Sequence, residues 1–144
     1  MGTERYDRWE PIAGLAEQPV SHLVARFDGE NLAVKGPYTF GPESSWIEIT
    51  FDYAEAFKFY EEFSDPWMES GVDLPRVEGG RWTWPLLEVI DSEWIARIVE
   101  RNAGLRADDG WRHLTVTSLN FSVHVMTKRD PLAVRLTAGE PSWR

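Results

Sequence analysis

Residues 113–126 read HLTVTSLNFSVHVM, two runs of alternating side chains about a Leu119-Asn120 turn. A period of two is the mark of a strand with one face buried, so the segment is expected to fold as a hairpin. Setting Ser118 opposite Phe121 puts Val116 beside Val123 and Leu114 beside Val125, which makes one face apolar. The other face then pairs Thr117 with Ser122, Thr115 with His124 and His113 with Met126. His113 and His124 stand diagonal across this ladder, within reach of each other. The expectation is a one-sided sheet, with the valine face in the core and the histidine face in solvent.

Working outward, Arg129-Asp130-Pro131 is a turn, and Leu132, Val134 and Leu136 continue as a third antiparallel strand. Upstream, Trp82, Trp84 and Leu86 share one face of a strand reaching about Val89, with Pro85 marking a strand start or an edge. Asp91-Ser92 caps a helix whose stripe is Trp94, Ile95, Ile98 and Val99. Residues 20–27, 32–34 and 47–51 alternate and read as strands, the first two joined by the turn Asp28-Gly29-Glu30-Asn31. In DYAEAFKFYEEF, residues 52–63, Tyr53, Ala56, Phe57, Tyr60 and Phe63 recur at three- and four-residue spacings behind Asp52 as a cap, which predicts a second helix. The sum is an α+β fold, a mostly antiparallel sheet with two amphipathic helices, about 52–63 and 92–102, packed on one face. One domain spanning 1–144 is expected, with 1–19 an irregular N-terminal arm broken by Pro11, Gly14 and Pro19.

The net charge of −9 is unevenly spread, because residues 41–80 alone carry −8. Lys58 and Arg76 are the only bases in that stretch, too few for a phosphate backbone, so nucleic acid is not an expected partner. The longest apolar runs are a few residues, so no membrane partner is expected. The absence of Cys excludes disulfides and thiolate chemistry and fits a cytoplasmic location. GxSxG, HExxH, GxxxxGK[ST] and GxGxxG patterns are absent. No metal or cofactor is expected, since no spacing fixes a third ligand beside the histidines. Lys128, Arg129 and Arg135 read as a solvated strand end.

The expected function is a non-enzymatic cytosolic binding protein whose acidic surface recognises a basic protein partner, in the manner of an immunity or antitoxin protein. The expected partner-binding residues are Trp46, Trp67, Trp82, Trp84, Glu61, Glu62, Asp65, Glu69 and Asp73. A second reading is a small-ligand binder or enzyme with an aromatic pocket near Trp82 and Trp84, where His113 or His124 is the base and Glu48 or Glu88 its carboxylate partner. A third is a structural domain that forms a homodimer through Trp46 beside an open sheet edge.

Overall fold

The computed structural model describes residues 4–39, 45–61, 73–102 and 110–143. Nine strands form two antiparallel sheets. These are β1 (Arg5–Arg8), β2 (Val24–Phe27), β3 (Leu32–Pro37), β4 (Trp46–Phe51), β5 (Ala56–Glu61), β6 (Leu86–Ile90), β7 (Arg112–Thr117), β8 (Phe121–Thr127) and β9 (Ala133–Thr137). The five-stranded sheet has the order β1-β6-β7-β8-β5, and the four-stranded sheet β2-β3-β4-β9. Helix α1 (Glu93–Arg101) is the only helix among the described residues. The α+β expectation is therefore corrected to a mostly β architecture of two sheets.

The correction turns on residues 52–63. Ala56–Glu61 is strand β5, paired with β8 from Ala56 opposite Met126 to Glu61 opposite Phe121. Its aromatics satisfy both periods: Phe57, Tyr60 and Tyr53 fit a helical stripe, yet Phe57, Phe59 and Glu61 fit one strand face and Ala56, Lys58 and Tyr60 the other. Aromatic side chains favour strands, and a free antiparallel flank on β8 decides between the two. Tyr53 adopts φ 48°, a left-handed conformation incompatible with a continuing helix, and its N–H donates to Asn31 Oδ1 at 3.0 Å. Glu62 and Phe63 lie outside the described residues. The second expected helix is α1, where Ser92 Oγ accepts the Ile95 N–H at 3.2 Å as N-cap.

The N-terminal arm is also more regular than its prolines suggest, since Arg5–Arg8 adds β1 to the edge of β6. Its polar string RYDR gives no apolar alternation by which to read it as a strand. Gly36-Pro37, which reads as loop, lies inside β3. There a Cβ on Gly36 would overlap the His22 carbonyl oxygen and Val20 Cγ1, so glycine lets the 20–22 backbone close on the sheet. Pro85 precedes β6, and its carbonyl accepts the Thr117 N–H at 2.7 Å.

The β7–β8 register is the one read from the sequence: Val116 opposite Val123, Leu114 opposite Val125, Thr115 opposite His124 and His113 opposite Met126. Leu114, Val116, Val123 and Val125 join Leu32, Val34, Ile47, Ile49 and Phe51 of the other sheet in one buried core. Val20 stitches the sheets together, bridging to Tyr38 of one and Ser118 of the other, with its carbonyl taking the Leu119 N–H at 2.9 Å.

The expected one-sided sheet is corrected, however. Trp94 of α1 lies against both histidines, and Thr115 is 0% exposed with His113 and His124 buried beside it. Charge on either face should therefore be costly. Val123→Asp and Thr115→Asp are each expected to lose about 3 kcal/mol or more in urea unfolding, because each buries an unpaired carboxylate. Gly36→Ala should also lower the urea midpoint, since backbone and a packed valine occupy the space its methyl needs.

Candidate functional site

The two histidines form a buried hydrogen-bonded chain. His113 Nε2 and His124 Nδ1 lie 2.8 Å apart, and His113 Nδ1 is 2.7 Å from Ser92 Oγ. Three elements position it: β7 and β8 supply the diagonal pair, and the N-cap of α1 supplies the serine. Trp94 closes the site with its ring 4.9 Å from His113 and 6.3 Å from His124, and Lys58 reaches over the Trp94 ring at 4.6 Å. Tyr60 meets His124 edge-on at 5.5 Å. Burial, then the neighbouring His124 and Lys58, push the His113 pKa from 6.5 down to about 2. Burial thus favours the neutral imidazole of His113 at physiological pH.

The carboxylates expected to partner these histidines are committed elsewhere. Glu88 is bidentate with Arg112, Oε2 to Nε at 2.9 Å and Oε1 to Nη2 at 3.2 Å. Glu48 Oε2 accepts the Trp143 indole N–H at 2.5 Å on the outer face of the four-stranded sheet. No cluster of three or more metal-ligating side chains occurs among the described residues.

The tryptophans divide by burial. Trp84 is 0% exposed, with its indole N–H donating to the Trp9 carbonyl at 3.0 Å and Arg8 stacked 3.5 Å above its ring. It is a core residue and presents no surface. Trp46 is buried too, edge-on to His22 at 5.8 Å, and Trp82 is half-buried against the core. Glu61 and Asp73 are exposed, while Trp67, Glu62, Asp65 and Glu69 lie outside the described residues.

The exposed aromatics are residues that the sequence reading passed over. Phe27 and Phe59 are each 44% exposed. Phe27 packs on Phe57 at 4.8 Å between ring centroids, and Phe57 on Phe59 at 5.8 Å. The cluster joins β2 and β5, the terminal strands of the two sheets, so it forms a margin where the sandwich is open. Phe121, 40% exposed, extends it from the position opposite Glu61. Carboxylates neighbour it along the chain. Asp28 and Glu30 follow Phe27 in the β2–β3 turn, Glu61 stands two residues beyond Phe59 on the same strand face, and Glu55 immediately precedes β5. Ala54 N–H donates to the Glu30 carbonyl at 3.0 Å, which holds the turn and the start of β5 together. A usable signal was present in the sequence: Phe59 is the one aromatic of residues 52–63 that a helical stripe leaves out.

The His113 geometry fixes the direction of one pH effect. The unfolded chain takes up a proton near pH 6.5 that the folded protein refuses until about pH 2. Stability from this group is therefore full above pH 6.5 and falls as pH drops below it, with a slope approaching about 1.4 kcal/mol per pH unit. Urea midpoints measured between pH 7.5 and 5.0 should fall, and His113→Gln should flatten the slope. Equal slopes would show a protonated His113 in the fold.

No family model, curated protein or solved structure matches this chain.

Proposed function

We propose that the protein is a non-enzymatic binding module that recognises a basic protein partner through the open margin between β2 and β5. The observation that carries this reading is the placing of half-exposed Phe27 and Phe59 among the carboxylates of Asp28, Glu30, Glu55 and Glu61. Aromatic anchors supply the contact area in protein interfaces, and a surrounding ring of one charge supplies choice of partner and speed of encounter. The net charge of −9 extends the same field over the molecule. Both strands at the margin end their sheets among the described residues, so a partner gains backbone hydrogen bonds there as well.

The test is capture from native lysate by three immobilised proteins: the wild type, Phe27→Ser/Phe59→Ser, and Glu30→Lys/Glu61→Lys. The reading expects a basic protein retained by the wild type, released as salt rises, and lost from both variants. Retention unchanged in both variants, or a partner without excess positive charge, overturns it. Light scattering on the wild type separates the competing case: a dimer that the Phe27→Ser/Phe59→Ser variant dissolves would assign the margin to a second copy of the chain.

A further inference from the structure

The outer face of the four-stranded sheet carries a hollow of about 440 Å³, whose lining shares Asp28 with the β2–β5 margin but none of its phenylalanines. Side-chain size shapes it. Along one ladder Arg26 pairs with Ala33 and Ala33 with Thr50, so two small residues make a floor beside a long one. On the adjacent ladder the long side chains of Glu48 and Arg135 stand up as a wall. The Asp28–Asn31 turn and the segment Pro141–Trp143 close the remaining sides.

The bonding inside the hollow is unequal between the two charges. Asp28 Oδ1 already accepts the N–H groups of Glu30 at 2.9 Å and Asn31 at 2.7 Å, which hold its carboxyl below the ordinary range. Glu48 Oε2 holds the Trp143 indole. Lys35, 6% exposed, donates to the Pro141 carbonyl at 2.6 Å, pairs with Glu140 at 3.0 Å, and lies 4.2 Å from the Trp143 ring. The Arg135 side chain, in contrast, makes no hydrogen bond, ion pair or ring contact among the described residues. Arg26 lines the hollow from the far strand, on the ladder next to that of Arg135, with its guanidinium 5.0 Å from the Trp143 ring.

We propose that this hollow binds a small anionic ligand, whose carboxylate or phosphate group sits between the Arg135 and Arg26 guanidiniums against Trp143. Guanidinium forks match both oxyanions in a bidentate geometry. The fixed Asp28 and Glu48 carboxylates can accept donors from the rest of the ligand. The class that fits is therefore one anionic group carried on a body with hydroxyl or amino groups.

The experiment follows the Trp143 indole N–H and the Arg135 Nε–H by nuclear magnetic resonance, with the indole assigned through Trp143→Phe. Inorganic phosphate and sodium acetate are titrated at constant ionic strength, with sodium chloride and glucose as controls. Saturable shifts of both resonances with phosphate or acetate support the site, and the tighter of the two identifies the ligand's anionic group. Arg135→Ala should weaken binding at least about tenfold, the loss of one charge-assisted pair, while Arg129→Ala, an exposed arginine paired with Asp52, should leave it unchanged. Shifts that chloride reproduces, or that persist undiminished in Arg135→Ala, overturn the proposal. Because neither arginine belongs to the Phe27–Phe59 cluster, this outcome is independent of partner capture at the margin.

Discussion

The β7–β8 hairpin is covered on both faces, and that constraint organises the rest of the molecule. Its valine and leucine face is met by the four-stranded sheet. Its second face carries Thr115, His113 and His124, polar groups that lose their water once α1 lies over them. A buried imidazole needs hydrogen bonds, because an unmade bond inside costs more than a made one contributes. The chain Ser92–His113–His124 provides them, and Ser92 serves α1 as N-cap with the same oxygen. One serine thus joins helix formation to the His113 end of the histidine pair.

This arrangement explains which parts of the fold were legible. The β7–β8 register follows from pairing like faces about a two-residue turn, and every pair read that way is present. What alternation does not report is what lies over the other face. Thr115 and His124 look like a wet surface when a polar residue is taken to mean solvent, yet both are buried, and His124 is bonded to His113. The histidine diagonal was legible, but the serine that completes it comes from a helix cap twenty residues away.

Residues 52–63 were illegible for a different reason. Their aromatics occur densely enough to fit a period of 3.6 and a period of two together, so local pattern does not decide. The deciding term is tertiary: β8 offers an unpaired flank, and β5 gains a full antiparallel ladder there. The change matters for the site, because a helix would have turned Phe59 onto its charged side, whereas a strand lines Phe59 up with Phe57 and Glu61. The tryptophans show the converse. Trp46 and Trp84 are prominent in the sequence and buried in the fold, since large aromatics contribute most to a core of this size.

The margin between β2 and β5 combines two features with separate physical explanations, and only one is informative about function. Terminal strands invite edge-to-edge association, and charged side chains beside them suppress it, so Asp28, Glu30 and Glu61 are accounted for by protection of the edges alone. That account does not extend to Phe27 and Phe59. A terminal strand protected by charge is equally well built with Thr or Lys at those positions, and each half-exposed phenylalanine leaves apolar area in water that a polar residue would not. The sandwich does not require their burial either, since its core is closed by Leu32, Phe51, Val123 and Val125 behind them. The aromatics, more than the acids, therefore carry the argument for a partner, and the acids indicate its charge.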